Sequence, residues 1–555
     1  MAFLTLASCQ PGMKKNQLFT LLKPSRTGID FNNALTETHE MNVIIYQDFY
    51  SGGGVAIGDI NNDGWPDVFL TGNMVPSKLY QNLGDFRFRD ITGQAGLANM
   101  GPGWFTGTTM VDINNDGFLD IFIGKSGLEE AEDRLNLLYI NQGDGTFLER
   151  ARDFGLDHAG YAVNATFFDF DNDGDLDMYL VNQGPEKYEG GNAEFLRNEV
   201  HVFAGDKLFE NTGNKFIDIT TEAGIYSSII GFAHGVSAGD INNDGWEDLY
   251  VSNDFFEHDY IYLNNGDKTF REVTKSATRH ISYFSMGNDM ADFNNDGLLD
   301  VMVLDMVAED NRRLKENLGG MKDHRFSVAL KLGYHYQYMF NVLHLNNSND
   351  PNGELSFSEI GQLAGVSTTD WSWAPLFADF DNDGWKDLYI TNGIRKDIRN
   401  IDWGDLYHDL RGLSGNTMNF EPRYWDFLLN SMPSKRVPNY MFRNNGDLTY
   451  SKVTGEWGLS VPSFSNGVAY GDLDNDGDLD LVVNNIDDHA FVFENHSEKI
   501  RDDHFLRIKL TGDEKNKMAL GTKVRIYHGD HFQYQQHYLT RGYRSSMEPV
   551  MHFGL

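Results

Sequence analysis

Seven copies of one nine-residue loop, Asp-x-(Asp/Asn)-x-Asp-Gly-x-x-Asp, punctuate this 555-residue chain, and each runs directly into an apolar strand. The copies begin at Asp59, Asp112, Asp169, Asp240, Asp292, Asp379 and Asp472. A motif repeated this often, always ahead of the same kind of element, requires an array of like structural units.

The loop also dictates its chemistry. Side chains at positions 1, 3 and 5 can turn their oxygens toward one point. Position 3 is Asp171, Asp381 or Asp474 in three copies and Asn61, Asn114, Asn242 or Asn294 in four; position 5 is Asp63, Asp116, Asp173, Asp244, Asp296, Asp383 and Asp476. The glycine at position 6 permits the sharp bend that brings the chain back. Position 7 (Trp65, Phe118, Asp175, Trp246, Leu298, Trp385, Asp478) then offers its carbonyl, and the acid at position 9 (Asp67, Asp120, Asp177, Asp248, Asp300, Asp387, Asp480) closes the shell. An all-oxygen cage of this kind suits Ca²⁺ better than Mg²⁺, which usually retains waters. The three all-Asp loops should bind more tightly than the four with Asn at position 3, on ligand charge alone. An EF-hand is excluded, because it needs Glu at position 12 and flanking helices; position 12 of the first loop is Leu70 and strands follow. Metal-free Asp/Asn/Gly turns are the alternative, but turn chemistry does not demand an acid at position 9 in all seven.

A longer unit surrounds each loop. A short strand of small residues precedes it, as in Gly54-Val55-Ala56-Ile57-Gly58, and a third strand with an Asn-rich turn comes later, as in Leu79-Tyr80-Gln81-Asn82-Leu83-Gly84. A Phe-centred fourth strand, such as Phe88-Arg89-Asp90-Ile91-Thr92, ends it. Four short antiparallel strands at a base period of 52 to 57 residues describe a β-propeller blade. The expected fold is therefore all-β: a seven-bladed β-propeller with helical insertions, followed by a small C-terminal β-rich domain.

These residues resemble the FG-GAP (VCBS-type) repeats of integrin-α-like propellers over roughly residues 50 to 495. The resemblance implies up to seven Ca²⁺ ions, one between the first and second strands of each blade, with positions 1, 3, 5 and 9 as side-chain ligands. After residue 503, His504-Phe505-Leu506-Arg507-Ile508, Leu520-Gly521-Thr522-Lys523-Val524 and Met551-His552-Phe553-Gly554-Leu555 resemble the ASPIC/UnbV domain. Such modules normally run on past Phe-Gly-Leu, so a further C-terminal part is expected. The domain reading is a lipoprotein-type leader and linker at 1–27, a propeller at 28–500 and the start of the ASPIC/UnbV-like module at 501–555. The seventh blade lacks a fourth strand after Asn495, and residues 28–37 are expected to supply it and close the ring.

Three gaps exceed the period: 71 residues from Asp169 to Asp240, 87 from Asp292 to Asp379 and 93 from Asp379 to Asp472. The insertions at about 305–345 and 394–438 read as helical, and long loops on a rigid scaffold are where binding usually sits. They could equally cap one face of the disc. Trp371-Ser372-Trp373 reads either as a sugar-stacking platform or as inter-blade core.

The net charge of −37 argues against a nucleic-acid partner. Positions 1, 3, 5 and 9 of the loops hold 24 carboxylates, so most of this acidity is metal site, and stability should depend on the metal. The single cysteine, Cys9, follows Leu6-Ala7-Ser8 as in a bacterial lipobox. That reading makes Cys9 a lipidation site, anchors an exported protein at the outer membrane or cell surface, and requires an upstream start, because the apolar stub is too short for a signal peptide. A buried free thiol is the alternative. The leading functional reading is a calcium-binding, surface-anchored scaffold for a protein or glycan ligand. The alternative is a calcium-dependent polysaccharide lyase using His335, Tyr336, Tyr338, Arg395 or Lys396, which no spacing ties together. No catalytic residue is assigned.

Overall fold

In a computed structural model, described for residues 17–555 apart from 129, 185–190, 214, 318–322, 350–353, 414–419, 501–502 and 530, seven blades of four antiparallel strands follow one another around a ring. Blade 1 contains Val55–Gly58, Asp67–Leu70, Lys78–Asn82 and Phe88–Asp90. Its innermost strand must be made of small residues because the inner strands converge on one axis. A Cβ on Gly467, in blade 7, would lie 2.5 Å from the Gly53 carbonyl oxygen. The second strand is buried on both faces, which explains its continuous apolar run. The outermost strand buries only its leading aromatic: Phe88, Phe147, Phe216 and Tyr450 are buried and the residues after them face solvent.

The ring does close through the N-terminal region, but not through residues 28–37. Phe19–Leu22 is the fourth strand of blade 7, with Phe19 opposite Asn495. The register matches that of the other blades, where Phe88 lies opposite Asn82 and Phe270 opposite Asn264. Residues 28–37 contribute only isolated bridges, Asn32 to His489 and Asn33 to Ile486. The physical reason lies in the element that succeeds an outer strand, a helical turn ending in a left-handed glycine: Gly155 after Ala151–Phe154 and Gly28 after Pro24–Thr27. Gly28-Ile29 is thus the blade terminator, equivalent to Gly155-Leu156. The strand that precedes it supplies the apolar side chains: Leu18, Phe19 and Leu22 are all buried. The propeller consequently begins within the stretch that the sequence assigns to the 1–27 leader. Cys9 lies outside the described residues.

All three insertions follow the second strand of their blade, so they emerge on the face opposite the loops. They carry helices Ala193–Arg197 in blade 3, Asn311–Asn317 and Asp323–Lys331 in blade 5, and Ile401–Leu413 and Pro422–Ser431 in blade 6. Trp403, Leu429 and Met432 from blade 6 pack on Leu35, Val43, Tyr46 and Phe49 of the segment that enters blade 1. Among the described residues, no helix is long and apolar enough to cross a membrane.

The C-terminal residues lie on the loop face. Phe505–Ile508 pairs with Met551–Gly554, and Lys523–His528 with His531–Gln536. A third hairpin, Thr540–Arg541 with Ser545–Ser546, enters the channel and sets Ser546 beside Ala56 of blade 1. Tyr543 and Arg544 at its tip are fully buried, and Arg544 donates to the Gly52 carbonyl and to Asp48. The central channel is plugged from the loop side.

Candidate metal loops and the opposite cavity

Each loop is held in shape by hydrogen bonds to its own carboxylates. In the first, the Asp63 and Gly64 amides donate to Asp59, the Trp65 amide donates to Asp63, and the Ile60 amide donates to Asp67. The pattern recurs in the others; in the seventh, Asp476 and Gly477 donate to Asp472 and Leu473 donates to Asp480. Position 4, Asn in every copy, adopts the left-handed conformation: Asn62, Asn115, Asn172, Asn243, Asn295, Asn382 and Asn475 have φ of 56–59°. Asparagine tolerates this conformation better than most residues. Six of these side chains donate to the position 6 carbonyl of the next loop, from Asn62 to Gly117 and finally from Asn475 to Gly64. Asn115 instead accepts the Lys517 amide of the C-terminal module.

Each third strand carries a second recurrent asparagine at or near its end. The Asn82 amide donates to Asp67, and its side chain donates to Pro66 and, across the blade boundary, to Leu473. Asn141, Asn264, Asn346, Asn444 and Asn495 likewise donate to position 2 of the preceding blade's loop. Metal loop and blade junction are therefore one hydrogen-bonded assembly.

The position 9 acids are all buried, at 0–1 % exposure. Burial pushes Asp67 and Asp120 up to about 8 and Asp177 to about 9, despite two backbone donors apiece. In the Asn-containing loops the amide covers the neighbouring acid: Asn61 donates to Asp63, Asn242 to Asp244. In the all-Asp loops that relief is absent, and three carboxylates crowd within 4.8 Å of one another: Asp169, Asp171 and Asp177; Asp379, Asp381 and Asp387; Asp472, Asp474 and Asp480. A basic side chain sits on each of these clusters. Lys268 is 2.6 Å from Asp171, Arg443 is 3.1 Å from Asp381 and Arg507 is 2.9 Å from Asp472. In loop 4 Lys523 likewise pairs with Asp240. The Asp474 Oδ1 atom is buried without a hydrogen-bond partner. An all-oxygen donor set with converging carboxylates and an orphaned oxygen fits a hard divalent cation. These groups could hold a metal ion.

The comparisons with known proteins agree with this geometry. The FG-GAP-like repeat family matches residues 44–123, 129–180, 240–303 and 424–483, and the ASPIC and UnbV family matches 512–555. The chain carries FG-GAP-like repeats and an ASPIC and UnbV domain. It is similar to cartilage acidic protein 1 of Xenopus tropicalis, 29 % identical over 205 residues covering 37 % of this chain and 29 % of that protein. The Homo sapiens protein of the same name is 23 % identical over 274 residues, 46 % of this chain and 38 % of the relative. The chain thus spans about a third of the length of the curated relatives it matches.

The five residues considered for a lyase do not converge. Arg395 and Lys396 are held by Asp487 and Glu37, and His335 packs between His258 and Thr278. None of the five lines the cavity of about 550 Å³ that opens on the insertion-bearing face. Trp371 and Trp373 do line it. Trp373 is also core, 3 % exposed, donating to the Gly393 carbonyl and packed on Tyr543. The core reading of that pair therefore holds for Trp373. The sequence reading missed the position 4 asparagines, although their recurrence in all seven copies was the available signal. It also missed the basic counter-charges, which come from distant segments and carry no local pattern.

Proposed function

We propose that this protein is a calcium-loaded binding scaffold, exported and anchored through Cys9, that engages a protein or glycan ligand on the face opposite its metal loops. The observation that carries the calcium reading is the converging all-oxygen donor set in the loops. Ca²⁺ accepts such flexible shells with several carboxylates, whereas Mg²⁺ demands a tighter octahedron and keeps its waters. Position 7 carbonyls and solvent would complete each shell. Millimolar calcium outside the cytoplasm would fill even the weaker Asn-containing loops, which agrees with export. The ligand-bearing face follows from division of labour: the ASPIC and UnbV domain covers the loop face and plugs the channel, which leaves the helical insertions available to a partner.

Calorimetry and metal analysis test this reading. Purified protein should bind close to seven Ca²⁺, and a chelator should lower its melting temperature by well over ten degrees, restored by Ca²⁺ but not by equimolar Mg²⁺. An unchanged melting temperature in chelator would sink the proposal. For the anchor, Cys9→Ser in the full-length precursor should abolish incorporation of labelled fatty acid and release the protein from the membrane fraction.

A further inference from the structure

The cavity opposite the loops holds a cation whose electrostatics are incomplete. Four largely buried arginines elsewhere are matched by acids: Arg313 by Asp370 and Asp397, Arg541 by Asp289, Arg544 by Asp48, Arg197 by Glu257. Arg399, on the cavity wall, differs. Its guanidinium lies 4.4 Å above the Phe284 ring, and its hydrogen-bond acceptors are thioether sulfurs, Met339 at 3.0 Å and Met306 at 4.0 Å. Sulfur is a weak acceptor, so the five-donor fork is largely unspent. The nearest acids act from beyond ion-pair distance. Asp305 is already saturated by Ser282, Tyr283 and Phe284, and Asp254 accepts the Phe255 amide and faces His234 at 3.8 Å. Burial accordingly pulls the Arg399 pKa below its ordinary value. A partly buried guanidinium whose donors meet only sulfur gains more from an incoming carboxylate than a fully solvated arginine does.

The rest of the wall is aromatic and aliphatic, and its other charged groups are Asp48, Asp254, Arg325 and Asp405. Trp371, Trp373 and Trp403 face the cavity together with Phe255 and Phe284, and Trp371 brings a buried indole N–H without an acceptor. Planar rings, a partly buried guanidinium and a few polar groups (His234, Asp254, Asn400) are the surface that a hydroxylated ring bearing one carboxylate requires. The volume of about 550 Å³ falls within the range of small-ligand sites and admits one or two sugar rings. We propose that this cavity binds the uronic acid residue of an acidic glycan, its carboxylate on Arg399 and its ring against the Trp371 indole. The inference rests on the binding-scaffold reading and names its ligand class. The net charge of −37 opposes a long polyanion lying across the surface. Recognition is therefore of a chain end inserted into the cavity.

The test uses the calcium-loaded protein with digalacturonate and its methyl ester, which keeps the rings and removes the charge. Tryptophan fluorescence and calorimetry should report saturable binding of the acid and at least tenfold weaker binding of the ester. Arg399→Gln should abolish that preference, with Arg399→Lys retaining part of it. Equal affinity for acid and ester overturns the carboxylate assignment. No binding of either overturns the whole inference, and it is distinguishable from failure of the scaffold reading, which would appear as a calcium-independent melting curve. Should Arg399→Gln not fold, the acid–ester comparison on the unaltered protein and on Trp371→Leu, expected to weaken both, remains decisive.

Discussion

At the scale of single residues, the metal loops contain acids of two kinds. Asp300 is fully buried and accepts the Asn346 and Phe293 amides, so it is a structural acceptor before it is a ligand. Asp300→Ala should cost about 2–4 kcal/mol even in chelator, because two buried donors lose their acceptor. Asp63, exposed at position 5, should cost under about 1 kcal/mol in chelator when changed to Ala, its larger effect appearing only with calcium. Urea unfolding with and without chelator separates the two. A second residue-level expectation concerns Asp206 and Asp259, which accept Tyr179 and Tyr250 hydroxyls and are pushed by burial up to about 7. Unfolded, both would deprotonate near pH 4. Between about pH 4 and 7 the folded state therefore binds more protons, so stability falls as pH rises through that window. Blade 6 places Asn439 at the equivalent position, where its amide instead donates to the Tyr389 hydroxyl. The double variant Asp206→Asn, Asp259→Asn should show a smaller drop in melting temperature from pH 5 to pH 8, measured in saturating calcium.

At the scale of elements, the closing strand decides whether the ring is continuous. Phe19 packs edge-on against Phe380 and at a tilt against Trp457, and it is fully buried. Phe19→Ala should destabilise by about 3–5 kcal/mol, a core truncation at the one seam where the chain ends meet. A loss below about 1 kcal/mol would mean that the N-terminal strand is dispensable. The strand was hard to read because a four-residue segment, Phe19-Thr20-Leu21-Leu22, carries little periodicity of its own. Gly28-Ile29-Asp30-Phe31 looked more like the Phe-centred pattern, and only the pairing of Phe19 with Asn495 settles the register. The insertions of blades 5 and 6 were legible as helices for the opposite reason: they interrupt a strict period, and their composition changes with it.

At the scale of the whole molecule, the C-terminal domain and the metal loops are electrostatically linked. Lys523 and Arg507 sit on Asp240 and Asp472, the first acids of loops 4 and 7. A bound cation would compete with them for the same oxygens. Replacing Lys523 with Gln should therefore lower the melting temperature in chelator by more than it does in calcium, and calcium titration should show one site of higher affinity. Equal shifts in both conditions would show that the pair persists beside the metal.

The loops, their sevenfold recurrence and hence the blade count were determined by sequence alone, because each ligand set is local: nine consecutive residues fix both the turn and the donors. The Asn at position 4 was equally present, and its meaning is a contact with the next blade, which no local pattern can state. The closing strand, the counter-charges on the metal loops and the wall around Arg399 were decided only by tertiary structure. Each joins residues far apart in the chain, such as Phe19 with Asn495 or Lys523 with Asp240. Their juxtaposition follows from ring closure and from the docking of the last domain, and chain order does not encode it.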